Sequence, residues 1–337
     1  MPKFLRSVFV LTVAMAFSLL LPVKGHADDE PLAQVIKRAK QATVGILQSP
    51  EDAGSHPTKT HFSIRGTGVH IGKGYILTAR HAVERTEGGK TVIPKTIAVL
   101  TGDLDELPAL FIGANTFLDI ALYRVKSNVV SSLMAFVPFG DLEPQSGEAV
   151  FTVGYPLGWG PAIGFGHVGN TQAFLPTAQS RLMQVDVPAC SGNSGGGLFN
   201  TKGTLVGVLH AIIQTETTQG ERRCSRFAFV VPGSLVQRMS AALIHGEHPG
   251  FSKLGVQLTT VKVGTHWRVA IAKATGPARK GGLRKGDILL AIEEIPVTTA
   301  AQLKNYLIEY TRPGQPIAIR ILRGETEKLF FVTMGKA

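Results

Sequence analysis

A serine set among glycines is the first stretch that could do chemistry. In Gly192-Asn193-Ser194-Gly195-Gly196 the small residues let the backbone approach a substrate closely and turn N–H groups toward one point, which is how an oxyanion is stabilised beside a nucleophile. The same five residues satisfy G-x-S-x-G, the strand-to-helix turn of α/β-hydrolases, and they also read as an ordinary flexible loop. The choice rests on partners. A serine hydroxyl is a weak nucleophile until an imidazole takes its proton, and the imidazole needs a carboxylate to hold its tautomer.

Among the ten histidines, His81 stands out because Gly74-Tyr75-Ile76-Leu77-Thr78-Ala79-Arg80-His81 places it just past an apolar strand, at the start of a turn. His61 and His70 fall within a strand and read as structural. For the acid, Asp119 immediately precedes the apolar run Ile120-Ala121-Leu122-Tyr123, whereas Asp103 and Asp105 lie in a polar turn and Asp141 and Asp186 are weaker rivals. The chain order His81, Asp119, Ser194 is not the Ser, acid, His order of the α/β-hydrolases. Glu216 or Glu221 with His245 would complete that order only formally, because no alternation of strands with long helices accompanies it.

The elements that must position these groups are mostly short strands. A helix over Pro31 to Ala42 precedes a strand at Thr43 to Leu47, and from there to Pro232 apolar and β-branched runs are broken by Gly, Pro, Asn and Asp, the pattern of barrels or sandwiches. Ser234 is placed to cap a helix that ends before the Gly/Pro stretch at 245–250, and Thr298 to cap another running to about Tyr310 among the strands of a second, small α+β domain. The expected division is a leader over 1–27, a catalytic domain over 28–243, a linker over 244–252 and the small domain over 253–337.

Gly66-Thr67-Gly68-Val69, Tyr75 through Val83, Asp119-Ile120-Ala121-Leu122 and Gly192 through Leu198 together resemble the HtrA (Deg) family of trypsin-like serine proteases. The resemblance covers nearly all of the chain after the leader. It implies a mainly β fold, a chymotrypsin-like double β-barrel with a His81, Asp119, Ser194 triad between the barrels, followed by a PDZ domain. It further implies an oxyanion hole at Gly192, Asn193 and Ser194, a specificity pocket involving Pro188, Leu209, His210 and Ala211, and a PDZ carboxylate-binding loop at Lys253, Leu254, Gly255 and Val256. Asn193 stands where zymogen-activated relatives carry an aspartate, so no activating cleavage is expected. Pro188 stands where trypsin has its acid, so a small or medium apolar side chain is the expected preference. Cys190 and Cys224 match the disulfide beside the pocket of digestive trypsin-like enzymes. The implied activity is ATP-independent endoproteolysis of unfolded or damaged polypeptides, with protein C-termini bound by the PDZ domain. The alternatives are a peptide-binding chaperone scaffold and a processing protease of narrow specificity. The resemblance allows a homotrimer, although Asp28 to His61 contains no aromatic residue of the kind through which relatives trimerise.

Composition agrees with this reading: 44% hydrophobic and 18% charged residues with 38 Gly and 19 Pro describe a turn-rich globular chain. Lys3 and Arg6, the apolar block from Val8 to Leu21 and Gly25-His26-Ala27 read as a secretory signal peptide cleaved after Ala27. Export to the periplasm or outside the cell is therefore expected, with no stable membrane anchor after cleavage. The net charge of +11 is scattered without a basic run carrying aromatics, so nucleic-acid binding is not expected. No cofactor is expected, and no His or Cys spacing along the chain marks a metal site.

Overall fold

The computed structural model describes residues 30–47, 64–126, 130, 133–173, 175, 178, 180–212, 224–247 and 250–336. The expected signal peptide, His61 and the linker's His248-Pro249 pair lie outside them.

Helix α1 (Leu32–Gln41) leads into a first closed barrel of β1 (Thr43–Leu47), β2 (Ile64–His70), β3 (Tyr75–Ala79), β4 (Thr96–Leu100), β5 (Glu106–Asn115) and β6 (Ile120–Val125), joined in the order β1-β2-β3-β6-β5-β4. The second barrel comprises β7 (Ala149–Gly154), β8 (Ala162–Ala173), β9 (Leu182–Ala189), β10 (Gly197–Asn200), β11 (Leu205–Ile212) and β12 (Ser225–Pro232), and its order, β7-β8-β9-β12-β11-β10, repeats the first with every index raised by six. Each barrel is filled by its own inward residues, Val44, Ile76, Val99 and Tyr123 in one and Met183, Val185, Leu198 and Val230 in the other. Closing both sheets leaves no free edges among the barrel strands. A third cluster runs between the barrels through Val69, Leu122, Phe151 and Val231 to the helix that follows them.

That helix, α3 (Gly233–Ile244), is capped two residues earlier than expected. Pro232 occupies the N-cap position and offers no side-chain cap, while Ser234 Oγ turns instead to Glu143. The small domain is a sheet of β13 (Val256–Val263), β14 (His266–Ala274), β15 (Ile288–Ile292), β16 (Pro316–Arg323) and β17 (Thr326–Thr333) in that order, with a short helix α4 (Gly276–Lys280) and the longer α5 (Ala300–Tyr310). The cap of α5 is Thr299 rather than Thr298: Thr299 Oγ1 accepts from Gln302 N at 3.1 Å and Gln302 Oε1 reaches back to Thr299 N at 3.2 Å, a capping box. Among the described residues no helix is long and apolar enough to cross a membrane.

A buried charge network fastens the small domain to the barrels. Arg181, at the entry to β9, donates through Nε and Nη2 to Glu309 of α5 at 2.6 and 3.0 Å and through Nη2 to both oxygens of Glu143 at 2.9 Å. The Arg181 and Glu309 side chains are only 3% and 7% exposed. Arg238 of α3 donates to the carbonyls of Ile308 and Glu309 at the end of α5, where the helix dipole favours a cation. Burial raises the Glu143 carboxyl, but hydrogen bonds from Arg181 and Ser234 outweigh it and hold the group below its ordinary range. Removing one member of such a network leaves an uncompensated buried charge, at a cost of about 3–5 kcal/mol.

Candidate active site

Asp119 is the hinge of the site's geometry. It adopts φ 53°, a left-handed backbone that a non-glycine residue holds only when its surroundings demand it. From there its carbonyl accepts Arg80 N–H at 2.8 Å and its Oδ1 accepts His81 N–H at 3.2 Å. These bonds fix the start of a one-turn helix, α2 (Arg80–Val83), directly after β3. Its Oδ2 then meets His81 Nδ1 at 2.5 Å. With Nδ1–H directed at the carboxylate, Nε2 of His81 is left with its lone pair outward, the tautomer a general base requires. Burial pushes the Asp119 carboxyl up, but the imidazoles of His210 and His81 pull it down further, so it stays ionised well below the ordinary carboxylate range. Arg80 Nε, 3.4 Å from Oδ1, adds a further positive charge beside it.

Ser194 is held at the seam of the two barrels. Its carbonyl accepts Thr67 N–H of β2 at 2.9 Å, while the next residue, Gly195, donates to Leu209 O of β11 at 2.9 Å. Both contacts depend on missing side chains. A Cβ on Gly195, which sits at φ +86°, would fall 2.2 Å from Thr67 O and 2.6 Å from Ala79 N. A Cβ on Gly66 would lie 2.6 Å from the Ala82 Cβ and 3.2 Å from Ser194 O. The serine loop is thereby pressed against β2 and the end of β3, and β2 in turn against α2, which carries His81. Thr67 also ties the loop from its other side, donating Oγ1–H to Gly192 O at 2.6 Å and accepting Tyr155 N–H at 3.0 Å.

Two expectations about this loop are corrected. The Asn193 N–H donates to Cys190 O at 3.1 Å and its buried side chain accepts Cys190 N–H at 3.2 Å, so Asn193 braces the turn and is no oxyanion donor; Gly192 and Ser194 remain. Pro188 does not enter the pocket. Strand β9 alternates, with Val187 and Ala189 buried and Pro188 exposed between them, so the period of the strand turns Pro188 outward. The cavity beside the serine, about 90 Å³, is lined by Cys190, Ser191, Asn193, Ser194, Leu209, Ala211 and Ile212. Leu209 and Ala211 were expected there; Ile212 was not. None of these lining residues is charged. The Cys190–Cys224 disulfide is formed, with a sequence separation of 34, and closing a loop of that length stabilises by about 3–4 kcal/mol in the chain-entropy picture.

His210, expected as part of the pocket wall, instead approaches the His81–Asp119 pair. Its Nδ1 lies 3.0 Å from Asp119 Oδ2, the oxygen already engaged by His81, without the alignment of a hydrogen bond. The two imidazole rings stand edge to face with centroids 6.0 Å apart. His70 is structural as expected: it is buried, accepts Gly74 N–H at Nε2 at 3.0 Å and donates from Nδ1 to Ala135 O at 2.6 Å. Burial holds its imidazole below the ordinary value.

In the small domain, Lys253 pairs with Gly335, the carbonyls of Leu254 and Gly255 accept from Ala278 and Thr275 at 2.8 and 2.7 Å, and Val256 opens β13. Strand β13 is the edge of its sheet. Val256 and Leu258 of that edge share one apolar cluster with Leu303, Tyr306 and Leu307 of α5.

Two closed barrels of the same strand order, a His81–Asp119 pair, a Gly/Ser loop held at the barrel seam and a following sheet-and-helix domain define a trypsin-like serine protease fold with an appended domain. Family models agree: a trypsin-like peptidase domain matches residues 66–208 and a PDZ domain matches residues 252–334. The chain is 29% identical over 303 residues to a probable periplasmic serine endoprotease DegP-like of Pseudomonas fulva, covering 86% of this chain and 60% of that protein. It is 24% identical over 370 residues to the serine endoprotease DegS of Escherichia coli, covering 98% and 97%. The solved structure of the HtrA-type protease AlgW with a decapeptide superposes with a TM-score of 0.67 at 23% identity, covering 91% of this chain and 99% of that one. The chain belongs to the HtrA family of trypsin-like serine proteases, with a PDZ domain after the peptidase domain. It spans about 60% of the length of the DegP-like relatives that it matches.

Proposed function

We propose that the protein is an exported, ATP-independent serine endopeptidase that cuts unfolded or damaged polypeptides through an acyl-enzyme. The observation that supports this most is Asp119 holding His81 in the base tautomer at 2.5 Å while the Ser194 loop is clamped between β2 and β11, against the end of the strand that leads into α2. In this reading His81 Nε2 takes the Ser194 proton as Oγ attacks the scissile carbonyl, then returns it to the leaving amine. Water next repeats the sequence and releases the acyl group. The Gly192 and Ser194 N–H groups receive the oxyanion, where one such donor contributes about 10²–10³ in rate.

An uncharged pocket of about 90 Å³ suits Val, Ile or Ala at the cleaved position and offers no counter-charge to Lys or Arg. The PDZ edge strand β13, with the Lys253–Val256 loop at its start, is the proposed seat of a protein C-terminus, which would add a strand beside it. Periplasmic location is supported by the names of the DegP-like relatives. Digestion of an unfolded protein mixture, followed by mass spectrometry of the peptides, tests the proposal. Many cuts after small aliphatic residues are expected; one cut in one substrate would favour a processing protease, and cuts after Lys or Arg would contradict the pocket.

A further inference from the structure

We infer that His81, Asp119 and His210 form a binding site for a divalent transition cation of the zinc type, and that filling it shuts the peptidase centre off. The second half rests on the function proposed above; the first does not. The imidazole nitrogens of two histidines approach one carboxylate oxygen, His81 Nδ1 at 2.5 Å and His210 Nδ1 at 3.0 Å from Asp119 Oδ2, and all three ligand atoms lie within 4.8 Å of one another. One oxygen serves the His81 N–H well and leaves the other ring nitrogen unmet: His210 Nδ1 is buried and has no hydrogen-bond partner among the described residues. That oxygen could accept a second N–H, but His210 Nδ1 is not aligned to donate to it, and a cation seated between the three atoms would engage all of them at once.

Two imidazoles and a carboxylate are a donor set that suits zinc, with copper and nickel as competitors. With bonds of about 2.0–2.2 Å in tetrahedral geometry, the donors stand about 3.3 Å apart. His210 is already near that distance from Asp119. His81 must withdraw by less than about 1 Å on the same geometry, and its side chain is 42% exposed and carried on a single helical turn. The fourth position stays open to water.

Inhibition follows from proton placement. Metal coordination at His81 Nδ1 needs the lone pair of that nitrogen, so the single proton of the neutral ring shifts by way of solvent from Nδ1 to Nε2. That nitrogen can no longer accept a proton from Ser194. Asp119, now a ligand, no longer orients the base.

The test is calorimetric titration of the full-length Ser194→Ala protein with zinc chloride in a buffer that does not bind zinc, which reads binding without hydrolysis. One ion per chain is expected at micromolar concentration, and adding His210→Thr, His210→Gln or His81→Gln should weaken it by at least about tenfold, because even a residue that only supports a ligand typically contributes that much. In the protein with Ser194 intact, the same zinc concentration should stop casein hydrolysis and EDTA should restore it. Absence of a stoichiometric site in the Ser194→Ala protein, or a site unchanged by those replacements, overturns the inference even if hydrolysis is brisk. A zinc site with the expected dependence in a chain that cleaves no polypeptide would instead leave the site standing and refute the proposed function.

Discussion

Replacing Ser194 by alanine will lower the hydrolysis of casein by on the order of 10⁶-fold, the size of loss seen when the nucleophile of a serine protease is removed, and will leave the fold in place. The two halves of that expectation come from different atoms. The Ser194 backbone does the structural work: its carbonyl accepts Thr67 N–H and its neighbour Gly195 bonds to Leu209, and alanine preserves both. The hydroxyl makes no hydrogen bond that holds the described residues together, so its loss removes chemistry alone. Unfolding midpoints of the two proteins should coincide while turnover differs. Equal turnover would exclude Ser194 as the nucleophile.

Asp119→Asn should lower kcat/KM on a peptide substrate by about 10⁴-fold, with little change in the secondary structure. An amide carbonyl at Oδ1 still accepts His81 N–H and still anchors α2. The other carboxylate oxygen is replaced by an NH₂ group, which presents a donor to His81 Nδ1 where the carboxylate presented an acceptor at 2.5 Å. The ring must then place its proton on Nε2, the wrong side for taking one from Ser194, and the imidazolium formed during attack loses its counter-charge. His210, whose Nδ1 is 3.0 Å from the same oxygen, cannot compensate because it offers no negative charge. Steady-state kinetics on a chromogenic peptide reads the outcome; a loss of less than tenfold would mean that Asp119 does not orient the base.

Much of the site could be read from the chain because each member carries a local mark. His81 follows an apolar strand, Asp119 precedes one, and Ser194 sits among glycines, of which Gly195, by lacking a side chain, lets the loop press against β2 and β3. The PDZ domain was marked by its own turn and loop motifs. What could not be read depends on how distant segments meet. The two barrels repeat the same strand order, yet no internal repeat is visible in the sequence, because a barrel interior asks only for alternating apolar residues. Pro188 was placed by its distance from the serine, and the alternation of β9 turned it outward. His210 could be assigned to a pocket wall, but its approach to Asp119 joins the second barrel to the first and leaves no trace in local spacing. The same holds for Arg181 and Glu309, 128 positions apart and paired in the interior. Both helix caps shifted: α3 is capped by Pro232, two residues before Ser234, whose hydroxyl meets Glu143, and α5 by Thr299, one residue after Thr298.

The central claim is that Ser194, activated by His81, is the nucleophile. Treating the native protein with a fluorophosphonate, which transfers phosphorus only to an activated serine, and locating the adduct by mass spectrometry tests it most directly. One adduct per chain on Ser194, with hydrolysis lost in proportion to labelling, is the predicted result. Full hydrolysis by a treated protein, with Ser194 unlabelled, would contradict it.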